Sequence, residues 1–201
     1  MAELSEEGGS GRREMLLAKI VDYVLANGIS ELTLRGLASA VGSNNRMLLY
    51  YFGSRDEIIV AALEGAADRF PGIRWIFEAL DDEAVPLADR LLGAWGTISD
   101  PVNLPFHRLF FEIFGMAGFE RQRFTALLGT IGTEWVNHVA AAFAADGVPA
   151  DRSLMFAHEI VALWRGFQAT LISMGDPAIV DRAARDATSA LLARAKGAAS
   201  S

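Results

Sequence analysis

Residues 31–55, ELTLRGLASAVGSNNRMLLYYFGSR, leave the backbone few choices. Leu34, Leu37, Ala38 and Val41 recur at i, i+3, i+4 and i+7, one apolar stripe on a short helix. Thr33 precedes the stripe, where its hydroxyl can accept an otherwise orphaned backbone N–H. Gly42 follows it, where a helix ends most readily in a left-handed residue. Ser43 and Asn44 supply turn and capping chemistry for a second short helix. In that helix Leu48 and Phe52 are four apart and can pack inward together. Asn45 then shares an outer face with Leu49, and Arg46 with Tyr50. Ser54 is a further cap, and Arg55 opens a third element.

Basic residues also gather here. The chain carries 18 Lys and Arg against 25 Asp and Glu, a net charge of −7. Residues 1–10 hold −3 and residues 56–201 hold −7, but residues 11–55 hold +3, from Arg12, Arg13, Lys19, Arg35, Arg46 and Arg55 against Glu14, Asp22 and Glu31. Attraction to phosphate depends on the local field more than on the total. Asn44, Asn45 and Arg46 put amide and guanidinium groups at the start of a short helix, where such groups can pair with purine edges in a major groove. Arg55, beside the free N–H groups of a helix start, suits a phosphate. Nucleic-acid contact is therefore the leading expectation. The alternative is a plain helical hairpin with solvated polar residues.

The rest reads as helix. A first helix is expected at 12–27, with Leu16, Ile20, Tyr23 and Val24 inward and Asn27-Gly28 ending it. Another runs from Arg55 toward Phe70, where Pro71-Gly72 breaks it. Further helices are expected at 73–80, 84–98, 103–115, 118–145, 151–173 and 177–196, with Gly115 to Gly118 among the breakers. Residues 1–10 read as a disordered lead and 197–201 as a frayed tail. The start MAELSEEGGSGRRE has no apolar stretch, so it is not a signal peptide. No run of 18 uncharged apolar residues suggests a membrane span. The absence of cysteine excludes disulfides and thiolate metal sites and suits a cytoplasmic protein. No cofactor or metal is expected.

The order helix 11–27, LTLRGLA, VG, a short helix ending in YF, then GSRDEII resembles the N-terminal domain of TetR-family transcriptional regulators over residues 12–63. The resemblance implies an all-α protein. A three-helix helix-turn-helix domain at 11–54 would precede a helical effector-binding and dimerisation domain at 55–196. It implies a regulator, more often a repressor, released from a double-stranded, pseudo-palindromic DNA operator by a small, largely apolar effector. The DNA-contacting candidates are Thr33, Arg35, Asn44, Asn45, Arg46, Leu49, Tyr50, Tyr51 and Arg55. Two family positions are filled conservatively: Arg55 replaces the usual lysine, and Asn44 the usual serine. A third is not. Leu49 stands seven residues after Gly42, where the family shows a tyrosine, and tyrosines follow at Tyr50 and Tyr51. Leucine can touch a thymine methyl but cannot hydrogen-bond a phosphate.

Most aromatic residues lie after this head and read mainly as core. An effector cavity is implied by the resemblance, with Phe106, Phe110, Phe114, Trp135, His138 and Trp164 as candidate lining. His107, Arg108, Glu112, Glu134 and Arg165 are the polar groups that could orient a ligand, but each reads first as a surface or interhelix partner. The last two helices are expected to pair with a second copy, through Leu154, Val161, Gln168 and Ile172 on one and Val180, Ala183, Ala187 and Leu191 on the other. An all-helical enzyme or a protein-only adaptor are the alternatives. Against an enzyme, His107, His138 and His158 are scattered, and no phosphate-binding glycine loop, serine elbow or cysteine nucleophile is present.

Overall fold

The computed structural model describes residues 3–120, 122, 125, 129–173 and 175–199, with backbone alone for 3–10, 74, 130 and 131. Regular structure among the described residues is helical throughout. The chain divides into two compact units, Met1–Phe70 with Arg108–Arg123, and Pro71–His107 with Phe124–Ser201.

The first unit holds α1 (Glu3–Asn27), α2 (Leu34–Ala40), α3 (Asn45–Phe52), α4 (Arg55–Arg69) and the larger part of α7 (Leu104–Phe119). Ile20, Val21 and Val24 of α1 are buried, as are Ile58, Ile59 and Ala62 of α4. Each large aliphatic side chain so buried contributes roughly 1.5–3 kcal/mol. Gly65 lets α1 and α4 approach closely, since a Cβ there would stand 2.9 Å from the Val21 side chain. Arg69 closes the pair from the far end of α4, its Nη1 2.7 Å from Asp22 Oδ1 and its Nη2 donating to the Ala18 carbonyl at 3.1 Å.

The second unit holds α5 (Pro71–Asp81), α6 (Leu87–Ser99), α8 (Trp135–Ala145), α9 (Ala150–Ser173) and α10 (Pro177–Ala199). Its core is aromatic, with Trp95, Phe143, Phe156 and Trp164 buried. Both indole N–H groups find acceptors, as buried tryptophans require. Trp95 Nε1 donates to Asp181 Oδ1 at 2.9 Å, and Trp164 Nε1 to Thr188 Oγ1 at 3.2 Å. No described helix is long and apolar enough to cross a membrane.

Several expectations need correction. The expected domain boundary at 54 falls at Phe70, because α4 packs along α1. Helix α1 begins at Glu3 rather than after a disordered lead of ten residues. Glycines there lower helix propensity but do not forbid a helix as a proline would. Helix α4 does end before Pro71, and Pro71 itself opens α5, since its fixed φ suits a first helical turn. Helix α7 passes through Gly115 and Gly118 to Phe119, and no single helix covers 118–145: α8 starts at Trp135 after a wide turn at Thr130–Glu134. Helix α10 continues through Gly197 to Ala199, and residues 200 and 201 of the expected tail lie outside the described residues.

Candidate nucleic-acid interface

The two short helices form as their caps dictate. Thr33 Oγ1 accepts from the Gly36 N–H at 3.1 Å and Asn44 Oδ1 from the Met47 N–H at 2.9 Å. Gly42 takes a φ of +68°, the left-handed turn that lets α2 end and α3 start. Leu48 and Phe52 are buried, so they anchor α3 and fix which face points out. That outer face carries Asn45, Arg46, Leu49 and Tyr50. Asn45 and Arg46 are exposed, and neither amide nor guanidinium has a partner among the described residues. Tyr50 is 77% exposed, whereas Tyr51 is half-buried and meets the Tyr50 ring edge-on at 5.1 Å. Of the two tyrosines, Tyr50 therefore stands on the outer face. Leu49 is 39% exposed beside it. Arg35 projects into solvent from α2.

Arg13 of α1 braces the far end of α3. Its Nε donates to the Tyr51 carbonyl at 3.4 Å and its guanidinium lies 5.0 Å over the Phe52 ring. Lys19 Nζ reaches the Val41 carbonyl at 3.4 Å. Two of the basic residues of this region thus hold the helices in place, while Arg35 and Arg46 remain outward.

Arg55 does not face outward as expected. It is half-buried, its Nε donating to the Leu32 carbonyl at 3.0 Å and its Nη2 to the Ile29 carbonyl at 3.5 Å. The same loop is gripped from its N–H side by Glu112 of α7. Glu112 Oε2 accepts from the Ile29 N–H at 2.9 Å, and Oε1 accepts from the Ser30 N–H at 2.7 Å and from the Ser30 hydroxyl. Gly28 permits this approach, with a φ of +72° and no Cβ, which would stand 2.6 Å from Glu112 Oε2. Of the two roles open to Glu112, ligand orientation or a partner to the protein itself, these bonds match the second. The signal that sequence reasoning missed is the set of loop N–H groups after Gly28, which need acceptors that no neighbouring residue supplies.

The candidate cavity residues fall in both units. Phe110 and Phe114 belong to the first unit, where their rings stack at 5.9 Å. Trp164 is core, held by its bond to Thr188, and Phe106 is buried. Trp135 meets Phe77 edge-on at 4.9 Å, and His138 stacks on the same ring at 4.5 Å. Of the six, His138 lines an open cleft of about 460 Å³ in the second unit. Among the polar candidates, Arg108 and Glu134 are exposed. Arg165 is half-buried, and that burial lowers its pKa. His107 is buried: its Nε2 lies 2.8 Å from the Ile98 carbonyl, its Nδ1 has no partner among the described residues, and desolvation lowers its pKa although the backbone bond opposes this.

The candidate pairing residues divide. Val161, Val180 and Leu191 are buried within the chain and so are not free for a second copy. Gln168, Ile172 and Ala187 are half-buried, and Leu154 and Ala183 are exposed. Exposed Met155, Ala162 and Gly166 follow helical spacing on α9, and Ile179, Ala183 and Ala190 on α10. The Glu159–Arg194 pair ties the two helices together at 2.6 and 3.1 Å, and its hydrogen bonds hold the Glu159 pKa low.

No family sequence profile and no curated protein sequence matches the chain. Solved structures do. A TetR-family transcriptional regulator from Streptomyces coelicolor is similar with a TM-score of 0.73 and 19% identity, over 92% of this chain and 96% of that one. The multidrug binding protein EbrR complexed with imidazole is similar with a TM-score of 0.66 and 23% identity, over 90% of this chain and 89% of that one. Its complex with malachite green gives a TM-score of 0.64 and 21% identity, over 90% and 97%. The chain therefore has the all-α fold of TetR-family regulators, an N-terminal helix-turn-helix followed by a larger helical body.

Proposed function

We propose that this chain is a ligand-responsive DNA-binding transcriptional regulator, a repressor that acts as a cytoplasmic homodimer on a pseudo-palindromic operator. The observation that carries the reading is the outer face of α3. Asn45 and Arg46 stand there unpartnered beside Tyr50, on a helix whose cap and inner anchors are already satisfied. A major groove admits a helix, and amide and guanidinium groups there discriminate bases. Arg35 and Tyr50 supply the contacts to phosphate. Shared fold with regulators over nine-tenths of the chain supports the same reading.

One such helix presents few contacts. Two copies joined through the exposed small-residue stripes of α9 and α10 would set two reading helices on two half-sites. The EbrR complexes support a small-molecule effector bound by the body. Helix α7 is the candidate transmitter: its first turn belongs to the second unit, and Glu112 further along it grips the loop that leads into α2. An effector acts this way only if it binds the DNA-incompetent state more tightly than the competent one.

The test is selection of bound fragments from the encoding genome by purified protein. The expected result is a shared, pseudo-palindromic sequence whose occupancy falls when an effector is added. Recovery of fragments with no common sequence would contradict the proposal.

A further inference from the structure

Arg90, on the first turn of α6, serves none of the roles above. It is 5% exposed. Its Nη1 donates to the Leu80 carbonyl at 2.8 Å, near the C-terminus of α5, where a cation is favoured. That bond accounts for one donor. Its Nε is buried without a hydrogen-bond partner, and no ion pair neutralises the guanidinium among the described residues. Arginine does not shed its proton to escape burial. A buried, uncompensated charge is unfavourable unless an anion joins it.

Arg90 forms part of the wall of the cleft of about 460 Å³ that His138 also lines. That volume is in the range of small-molecule sites, which are typically about 300–1,000 Å³. Ala141, Ala142 and Ala145 make one side of it apolar. Asp81 and Glu83 lie at its exposed margin, and Asp81 is already engaged by His138 Nδ1 at 2.9 Å.

We infer that this cleft binds a small monocarboxylate, with the carboxylate on the Arg90 guanidinium and an apolar remainder against the three alanines. The planar guanidinium matches a carboxylate in shape and charge. The carboxylates of Asp81 and Glu83 oppose a second negative charge, so a dianion such as phosphate is disfavoured. That this cleft is the effector's site rests on the regulator reading. The binding itself does not.

The test is calorimetric titration of the full chain, free of DNA, with benzoate and hexanoate. Benzamide, hexanamide and inorganic phosphate serve as controls. Both carboxylates should bind at least about tenfold more tightly than the amides or phosphate. Benzoate should also shift the His138 ring signals in NMR spectra. Arg90→Gln should weaken benzoate at least about tenfold, and the wild-type comparison decides the question even if that variant folds poorly. Equal binding of acids and amides, no binding of either acid at millimolar concentration, or binding that leaves His138 unmoved would each overturn the inference. Carboxylate binding by a chain that ignores DNA would leave it standing and overturn the regulator reading. Operator binding without carboxylate binding would do the reverse.

Discussion

Glu112 and Arg55 grip one loop, the carboxylate on the N–H groups of Ile29 and Ser30, the guanidinium on the carbonyls of Ile29 and Leu32. The loop leads directly into Thr33, the cap of α2, so its position sets where the helix pair begins. Glu112→Ala should leave two loop N–H groups without their acceptor and lower stability by about 1–2 kcal/mol, read by urea unfolding. Gly28→Ala should lower it by a similar amount, about 1–2 kcal/mol for the left-handed backbone alone, with the close Glu112 oxygen adding to it. Wild-type unfolding midpoints in both variants would show that the grip does not hold the loop.

Arg46 and Arg55 should behave differently although both are arginines beside α3. Arg46→Ala should leave stability unchanged, weaken operator binding by about 1–3 kcal/mol and relax base preference. Arg55→Ala should lower stability and weaken all sequences alike. Because Arg55 acts through the loop rather than on phosphate, the slope of affinity against salt should stay at the wild-type value. A phosphate contact would reduce that slope by about one, so titrations at several salt concentrations separate the two roles.

His107 gives the fold a pH dependence of definite sign. Burial lowers its pKa in the folded state below the unfolded value of 6.5. The unfolded chain therefore binds a proton first as pH falls. Stability from this group is fully present above 6.5 and is lost as pH falls from there through the folded pKa. Unfolding midpoints measured across this window should decline for the wild type and decline less for His107→Phe. Equal slopes would place the pH dependence elsewhere.

Ala183 lies on the exposed face of α10 beside small residues. Ala183→Glu introduces a charge that a paired helix face must desolvate. The variant should shift mass toward the monomer in sedimentation and weaken operator binding, while its unfolding midpoint at low protein concentration stays near the wild type. An unchanged dimer fraction would exclude this face.

What the sequence made legible was local. Thr33, Gly42, Asn44 and Ser54 act on backbone groups within a few residues of themselves, so α2, the turn and α3 could be read directly. The grip of Glu112 on Ile29 spans 83 positions along the chain, and no local rule indicates it. Chain order sorts Phe110 and Phe114 with the body, since nothing in it hints that α7 is shared between two units. Trp164 has the spacing of a core residue and of a cavity residue alike, and its burial and its bond to Thr188 separate them. Glycines 115 and 118 looked like breakers, but a glycine weakens a helix by about 1 kcal/mol without ending it.

The outer face of α3 is where base reading should occur, and one comparison decides it. The affinity of the wild type and of Arg46→Ala is measured for the selected operator and for a scrambled duplex of the same composition, at one salt concentration. The wild type should prefer the operator by at least about a thousandfold. Arg46→Ala should lose most of that preference while keeping its affinity for the scrambled duplex. Equal wild-type affinity for the two duplexes, or an operator preference unchanged by Arg46→Ala, would contradict it.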